Sequence, residues 1–372
     1  YMTSYKMQAE ESMRRIDMIL TAQPQTESTS PKRPKNYDVS FDNVTFTYDN
    51  NDHPAVSHLS FIAKSGMTTA LVGYTGFVGS NIYASGEIDA AYNSKNIEEA
   101  YGTAPDLLIY AGLRAEKYLA NNAPDKDMEL ILQAEENITK INPKRLVLIS
   151  TIDVFKVPKD VDENSAIDTE NLHPYGYNRY QLELWVRENY PDALIIRLPG
   201  LFGKNIKKNF IYDFIHVIPF MLKDVKFEEL AAKDTELKKY YQLQDNGFYK
   251  VNVSDDDREI LKERFRSLGF SALNFTDSRS VYQFYNLAGL WEDIQTALKA
   301  GIKLWHPATE PVSAGEVYKY LTGENFVNEL DGVSADYDYK TVYAETFGGS
   351  EGYICKKTDV LEEIKKFIES MS

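Results

Sequence analysis

The sequence predicts an α/β fold: a doubly wound parallel sheet from residue 67 onward, preceded by a helix and a β-hairpin. Two observations support this prediction. Apolar runs of strand length alternate with longer helical stretches, which is the pattern of parallel strands joined by helices. The first run, TTALV, ends at Gly73, and a helix start follows it directly. Strand, glycine turn and helix in this order are typical of the first unit of such a sheet.

The first 66 residues have a different pattern. Residues 5–21 form a predicted amphipathic helix, with Met13 and Ile16 near one face. The polar stretch QPQTESTSPKRPKN is typical of a linker. The alternating runs VSFDNVTFTY and HLSFIAK predict a β-hairpin. We therefore expect an N-terminal extension over residues 1–66 and a second domain over residues 67–372.

The predicted strands after TTALV are the runs EIDAAYN, DLLIYAG, RLVLIST and ALIIRLPG. Between them, DKDMELILQAEENITKI and NRYQLELWVREN are predicted helices. Residues 221–272 are charged and helical in pattern, so we expect a mostly helical insertion there. KTDVLEEIKKFIES predicts a final helix. A smaller α/β part, mainly residues 204–372, is expected to bind the substrate.

Composition limits the classes of function. The 372 residues are 43% apolar and 26% charged, as in ordinary globular domains. The formal charge of −15 argues against a nucleic-acid partner, because such binding needs clustered Lys and Arg. Cys355, as the one cysteine, excludes an intramolecular disulfide and is expected to be a packed small residue. With no apolar run of about 18 residues we expect no membrane span and a cytoplasmic location; no metal site is predicted.

Residues 1–72, from AEESMRRIDMIL to ALVG, resemble the start of an ABC-exporter nucleotide-binding domain. The resemblance implies that Tyr48 matches the aromatic residue that stacks on adenine, and that ALVGYTG begins a Walker A loop. Such a loop requires G-x-x-x-x-G-K-[ST], with the lysine on the β/γ-phosphates. Here FVGSN follows without a lysine. ATPase activity is therefore not expected, and Tyr48 is expected to belong to a half-buried hairpin.

The same glycines suit a Rossmann-type dinucleotide site. Gly73, Gly76 and Gly79 form G-x-x-G-x-x-G between a strand and a helix. The first glycine allows a tight turn, the second lets the backbone approach a pyrophosphate, and the third permits close helix–strand packing. The helix N-terminus presents free N–H groups to the phosphates. The expected cofactor contacts of this loop are Gly73, Thr75, Gly76, Phe77, Val78 and Gly79.

A second motif begins where RLVLIST ends. Ser150-Thr151 ends that strand, and Tyr175 and Arg179 lie four apart on one helix face. This arrangement resembles the extended short-chain dehydrogenase/reductase family, the NAD-dependent epimerase/dehydratase group, whose pattern is Ser/Thr and then Tyr-x-x-x-Lys. The resemblance implies that Tyr175 is the acid/base and that Thr151 orients the substrate oxygen. It also implies that the cation at 179 binds the nicotinamide ribose and lowers the tyrosine pKa, ordinarily about 10.

Arg179 departs from the family pattern, which has lysine at this position. Arginine stays cationic, but its planar fork is bulkier and aims its donors differently. Two interpretations remain open: the site works with arginine, or the protein keeps the cofactor fold while its chemistry is altered. We favour the first.

The resemblance extends over residues 67–372. It implies that Ala111 and Gly112 lie against the cofactor, that Arg197 and Pro199 lie beside the nicotinamide, and that Arg279 contacts a nucleotide-sugar diphosphate. The basic run GKNIKKN is another candidate phosphate contact, although a solvated loop explains its lysines equally well. Its candidate residues are Lys204, Lys207, Lys208 and Asn209.

The choice between NAD and NADP depends on the corner after the second strand. A site for NAD usually carries Asp or Glu about 20 residues past the first glycine. Counting from Gly73 reaches Asn93, followed by Ser94 and Lys95, which gives a slight preference for NADP(H). Glu87 or Asp89 are alternatives if the strand ends elsewhere.

The sequence thus predicts an NAD(P)-dependent reductase, epimerase or dehydratase that acts on a sugar or nucleotide-sugar, with a homodimer as the candidate assembly. The alternative is a non-catalytic NAD(P)-binding module, suggested by Arg179. An ABC-type ATP-binding protein is less favoured.

Overall fold

The computed structural model describes Lys6, residues 10–17, Thr21, and residues 39–47, 54–63 and 67–371. The chain divides into two compact units, Tyr1–Gly66 and Met67–Ser372. In the first unit, residues 10–17 are helical, and strands β1 (Val39–Phe46) and β2 (Val56–Ala63) pair in antiparallel fashion. The ring of Phe41 stacks on that of Phe61 at 4.6 Å between centroids. Tyr48 lies outside the described residues.

The second unit contains short strands and ten helices of six residues or more among residues 67–371. Its strands are β3 Thr69–Val72, β4 Ala90–Tyr92, β5 Leu107–Tyr110, β6 Leu146–Thr151, β7 Leu194–Leu198, β8 Gly200–Phe202, β9 Met221–Lys223, β10 Tyr241–Leu243, β11 Phe248–Val251, β12 Val281–Tyr282, β13 Phe284–Asn286, β14 Leu304–Trp305 and β15 Val312–Ser313. Its helices are α1 Phe77–Ser85, α2 Lys117–Asn122, α3 Pro124–Ile141, α4 Pro174–Asn189, α5 Phe210–His216, α6 Asp224–Lys233, α7 Asp255–Ser267, α8 Leu290–Lys299, α9 Ala314–Thr322 and α10 Lys357–Ser370.

Six strands form the central sheet in the order β14-β7-β6-β5-β3-β4, and every pair is parallel. The predicted doubly wound parallel sheet is therefore confirmed. Within this sheet the first strand along the chain is β3. The chain continues to β4 on one side of β3 and then crosses to β5 on the other side of β3. This reversal creates a crevice beyond the carboxyl ends of β3 and β5, where open α/β sheets bind ligands.

Helices cover both faces of this sheet, which explains why its strands are apolar throughout. Leu108 of β5 packs in one cluster, with Ile131 and Ile138 of α3. The next residue, Ile109, packs in the opposite cluster, with Ile82 of α1 and Ile294 of α8. Helix α4 joins α3 on the first face. This packing on both faces fixes α1 and α4 relative to the carboxyl ends of the strands.

The segment 221–272 contains a small sheet beside its helices, and the sequence did not predict this sheet. It contains α6 and α7, but β9, β10 and β11 also form a three-stranded antiparallel sheet. A separate core centred on Phe227, Leu261 and Phe265 holds these elements together. Strands of three or four residues are too short to show alternation, so the charged helical pattern dominated the sequence.

The remaining strands form two small pairs, β8 with β13 in parallel and β12 with β15 in antiparallel orientation. The predicted final helix matches α10. Among the described residues, no helix is long and apolar enough to cross a bilayer.

Candidate functional site

The turn between β3 and α1 has a geometry that requires glycine. Gly73 has a φ of +93°, and a Cβ there would collide with the carbonyl oxygen of Ala111. A Cβ at Gly79 would collide with the carbonyl oxygen of Gly73, so α1 packs directly on the turn. Gly76 is the N-cap of α1, whose first turn contains no acidic residue. The first amide groups of the helix have no acceptor within it. Thr75, Phe77 and Val78, the other predicted cofactor contacts of this loop, lie in the same turn and at the start of α1.

Three loops meet at this edge of the sheet. The Gly73 amide donates to the Tyr92 carbonyl at 2.7 Å, and the Ala111 amide donates to the Val72 carbonyl at 2.9 Å. The glycine turn therefore lies beside residues 93–95, which follow β4, and beside Gly112, which follows β5. This arrangement is a concave backbone surface with helix N–H groups, suited to an anionic ligand.

The corner after β4 contains no carboxylate. Asn93 is half-buried and accepts from the Lys95 amide at 2.8 Å, while Ser94 and Lys95 are exposed. Asp89 lies at the other end of β4, where it accepts from the Thr69 amide at 2.7 Å. Glu87 also precedes that strand. The two alternative acidic residues are therefore at the amino edge of the sheet, away from the glycine turn.

Thr151, Tyr175 and Arg179 are brought together, as the sequence predicts. Thr151 ends β6, and Tyr175 lies in the first turn of α4, with only 5% of its surface exposed. Arg179, one turn later, is 3% exposed, and its Cζ lies 4.2 Å from the centroid of the Tyr175 ring. Helix α4 includes Tyr175, as its spacing from Arg179 requires, and the side chain of His173 caps its start by accepting from the Gly176 amide at 3.0 Å.

Gly176 permits the approach of α4 to β6. A Cβ at this position would collide with the carbonyl oxygen of Asp153, in the short helical turn Ile152–Val154. Any larger residue would push the helix start outward and separate Tyr175 from Thr151. Gly176 carries no signal in the sequence, because the carbonyl that it approaches is distant in the chain.

Tyr175 is a phenol at neutral pH. Burial raises the pKa of Tyr175 to about 12. The positive charge of Arg179 and a hydrogen bond with the Thr151 side chain lower this pKa, whereas the carboxylates of Asp153 and Asp127 raise it. With these charges around it, the Tyr175 side chain is therefore better suited to donate a proton than to accept one.

Arg179 is bound within the protein. Its Nη1 forms an ion pair with Asp127 of α3, and its Nη2 donates to the carbonyl of Arg114 at 2.7 Å. Asp127 also accepts from the Asn178 side chain at 2.9 Å. The guanidinium thus lies against the tyrosine ring with its charge countered by a carboxylate.

Asp153 and Lys117 belong to the same cluster and were not identified from the sequence. The Thr151 hydroxyl donates to Asp153 Oδ2 at 3.2 Å, and the Tyr337 hydroxyl donates to Oδ1 at 3.1 Å. Lys117 Nζ lies 2.5 Å from Asp153 Oδ2 and 5.9 Å from the Tyr175 ring centroid. Asp153 could have been suspected from its place two residues after Thr151, but Lys117 carries no sequence signal.

Arg197 is a buried structural residue. Its Nη2 lies 2.6 Å from Glu183 Oε2, and the Ser150 hydroxyl donates to Glu183 Oε1 at 2.6 Å. This network joins α4 to β6 and β7 beneath the site. Pro199 follows β7 and is half-buried.

The predicted substrate contacts are engaged in other ways. The side chain of Asn209 caps α5 by accepting from the Tyr212 amide at 3.1 Å. Arg279 pairs with Asp277 at 2.6 Å and with Glu329 at 3.1 Å. Lys204, Lys207 and Lys208 are all exposed, and the Lys208 ammonium donates to the carbonyl of Ala115, in the loop that leads to Lys117. Of this group, Lys208 lies nearest to the cluster of charges around Tyr175.

Among the described residues, no group of three or more His, Cys, Asp or Glu side chains could hold a metal ion. Cys355 is half-buried, and burial raises the pKa of its thiol to about 12. It therefore stays a thiol at neutral pH.

No family model matches the chain. Solved structures do. A dTDP-4-dehydrorhamnose reductase from Yersinia enterocolitica has a TM-score of 0.54 at 12% identity, over 82% of this chain and 100% of that one. A dTDP-4-dehydrorhamnose reductase from Bacillus anthracis, solved in complex with NADP, has a TM-score of 0.53 at 15% identity, over 82% and 98%. A UDP-glucose 4-epimerase from Thermotoga maritima, solved with UDP-glucose, has a TM-score of 0.51 at 13% identity, over 82% and 97%.

A short N-terminal segment is similar to a different class of protein. It is 55% identical over 38 residues to an energy-coupling factor transporter ATP-binding protein from Lactobacillus delbrueckii subsp. bulgaricus. This match spans 10% of the chain and 14% of the length of that relative. It agrees with the resemblance that the sequence indicates for residues 1–72.

The structural matches at 12–15% identity show a common fold. They confirm, at the level of fold, the resemblance found in the sequence from residue 67 onward. The chain has the fold of the extended short-chain dehydrogenases/reductases.

Proposed function

We propose that residues 67–372 form an NAD(P)-dependent oxidoreductase, epimerase or dehydratase that acts on a sugar or nucleotide-sugar. The observation that carries this proposal is the position of Tyr175 and Thr151. Both are buried side chains at the carboxyl edge of a parallel sheet whose glycine turn is shaped for a dinucleotide. The reductases and epimerases with the same fold support the substrate class.

The residues present fit a nicotinamide dinucleotide. The backbone around Gly73 and Gly79 leaves no room for a Cβ, and the α1 N-terminus offers amide groups to a pyrophosphate. Asn93, Ser94 and Lys95 would hold the adenosine ribose. Because this corner has no carboxylate to repel a 2′-phosphate, we expect a slight preference for NADP(H). Ala111, Gly112 and Pro199 would border the cofactor.

A nicotinamide dinucleotide held by these residues would supply hydride exchange with a substrate carbon. Tyr175 would donate a proton to the oxygen on that carbon, and the Thr151 hydroxyl would hold this oxygen in place. Since the pKa of Tyr175 is about 12, the phenol carries its proton at pH 7. The site therefore favours reduction of a carbonyl, in which tyrosine is the acid.

Arg179 would act mainly as a support for Tyr175. Its charge lowers the pKa of the phenol, but Asp127 counters it, and its second nitrogen is bound to the Arg114 carbonyl. This pairing also favours a second candidate function, a non-catalytic NAD(P)-binding module. In such a module the arginine would hold the fold together after catalysis had been lost.

The two candidates are separated by turnover of the full chain with NADPH. The assay follows NADPH absorbance with dTDP-4-dehydrorhamnose and with UDP-4-keto-hexoses. We expect Tyr175→Phe to lower kcat by about 10²–10⁴-fold, the usual contribution of a positioned acid. Tyr177→Phe is the control, since Tyr177 is an exposed tyrosine on the same helix. Equal turnover by the Tyr175→Phe variant would refute the acid role, and NADPH binding without turnover on either substrate would favour the module.

A further inference from the structure

Two ion pairs surround Tyr175. One joins Arg179 to Asp127, and the other joins Lys117 to Asp153. The Coulomb effects of Asp127 and Asp153 on the phenol have the same sign, because both carboxylates disfavour the phenolate. The titratable groups that face Tyr175 are His173 and Arg179 on its own helix, Asp127 on α3, Lys117 on α2, Asp153 after β6 and Tyr337 in the C-terminal part.

The Arg179–Asp127 pair is fixed. Both side chains are about 95% buried, and each makes a further hydrogen bond to the protein. Removing either partner would leave a buried charge without a counter-ion, which is strongly unfavourable. This pair therefore contributes a nearly constant electrostatic background at Tyr175.

The Lys117–Asp153 pair is asymmetric. The side chain of Asp153 is 11% exposed and is held by the hydroxyls of Thr151 and Tyr337. The side chain of Lys117 is 50% exposed and begins a short helix, so its ammonium can leave the pair for water. Lys208 and Glu116, which carry opposite charges, also lie near Lys117.

The balance of charge at Tyr175 thus depends on one half-exposed side chain. With Lys117 in place, the four charged groups of the two ion pairs sum to zero. When Lys117 moves away, the phenol faces an unbalanced carboxylate in a buried site, where charges interact more strongly than in water. His173 adds little to this balance at pH 7, because burial lowers its pKa and keeps it neutral.

We propose that Lys117 is a positioning residue of this site, which sets the proton affinity of Tyr175 by neutralising Asp153. Its catalytic meaning rests on the proposed function, since it matters only if Tyr175 moves a proton. When the phenol gives its proton to a substrate oxygen, the resulting phenolate is stabilised by the nearby ammonium. Water then returns a proton to the phenolate, so the site regains its neutral tyrosine. Lys117 thereby supplies the balancing charge that the fixed Arg179–Asp127 pair does not.

The proposal can be tested without a substrate. In the full chain, 3,5-difluorotyrosine replaces Tyr175, and ¹⁹F NMR follows the ionisation of this one phenol with pH. The fluorines make the phenol more acidic, which brings its titration into the range where the fold is stable. Lys117→Met is expected to raise the midpoint by about one pH unit, and Asp153→Asn to lower it by a similar amount. The double variant is expected to titrate near the parent, and Lys117→Arg to do the same.

Lys140→Met is the matched control, because Lys140 forms an exposed ion pair with Glu136 and is not among the charges that face Tyr175. A midpoint for Lys117→Met equal to that of Lys140→Met would overturn the proposal. So would a double variant that remains shifted like Lys117→Met, because Lys117 would then act independently of Asp153. If Lys117→Met disturbs folding, Lys117→Gln provides the same loss of charge with a more polar side chain.

The NMR test of Lys117 and the turnover test of the proposed function can fail independently of each other. A shifted midpoint together with unchanged turnover by Tyr175→Phe would leave the electrostatic inference standing and refute the acid role. If the function holds, the kcat–pH profile of Lys117→Met in the direction of alcohol oxidation should move to higher pH by the same amount as the NMR midpoint. A uniform loss of activity without a shifted profile would indicate only a structural role for Lys117.

Discussion

Burial controls the charge of single side chains well beyond the candidate site. Asp213 on α5 is the clearest case, because burial raises the pKa of its carboxyl from 3.8 to about 7. Below about pH 4 both the folded and the unfolded chain hold this proton. As the pH rises through 7, the folded protein must ionise a carboxyl in a poorly solvated place. Protonated Asp213 therefore stabilises the fold in acid, and this contribution is lost between about pH 4 and pH 7.

We expect Asp213→Asn to be more stabilising at pH 8 than at pH 4.5. The difference in the free energy of unfolding between the two pH values should be about 1–3 kcal/mol, since the amide cannot ionise. Urea unfolding of both proteins at each pH measures it. Asp192→Asn is a suitable control, because Asp192 is exposed and its pKa is lowered by its hydrogen bond with Lys303. An effect of Asp213→Asn that does not change with pH would contradict the prediction.

At the residue scale, the sequence predicts the members of the site that belong to a local motif. Thr151, Tyr175 and Arg179 follow from a strand end and a four-residue spacing. Asp127 and Lys117 could not be found in this way, because they lie on other elements and their proximity to Tyr175 arises only on folding. The same limit explains why the bound state of Arg179 was not anticipated.

At the scale of elements, the position of α4 depends on a buried network beneath it. Glu183 is fully buried, pairs with Arg197 of β7 and accepts from the hydroxyl of Ser150 on β6. The same helix carries Tyr175 two turns earlier. Because Arg197 would keep its charge without Glu183, the network stabilises the fold only when complete.

Glu183→Gln should therefore lower the free energy of unfolding by about 3–5 kcal/mol, the usual cost of an unpaired buried charge. The control is Lys303→Met, which breaks an exposed pair with Asp192 and should cost less than about 1 kcal/mol. Denaturant unfolding followed by circular dichroism measures both variants. Equal losses in the two variants would show that the buried network does not anchor the helix.

The elements themselves were predictable to the extent that burial gave them a pattern. The parallel strands β5, β6 and β7 appear as apolar runs because helices cover both of their faces. Strands β9, β10 and β11 have only three or four residues each, which is too few to show a strand pattern. The place of Tyr175 on helix α4 follows from its spacing to Arg179, whereas the His173 cap and the close contact of Gly176 become visible only in the structure.

At the scale of the whole molecule, every residue assigned to the candidate site lies in the unit Met67–Ser372. The unit Tyr1–Gly66 includes a hairpin, and a short N-terminal segment is similar to an ATP-binding protein. The letters ALVGYTG at the junction suit either kind of nucleotide loop. In the structure they lead into a parallel sheet, with a glycine at position 79 and no Walker lysine, and we therefore propose that this loop binds a dinucleotide.

The most direct test of this assignment is a fluorescence titration of the full chain with NADPH and with NADH. We expect saturable binding of both, with NADPH bound somewhat more tightly. We also expect Gly79→Val, which would force α1 away from the Gly73 carbonyl, to weaken binding by about tenfold or more while circular dichroism shows an intact fold. No saturable signal with either nucleotide, or equal binding by the Gly79→Val variant, would contradict the central claim.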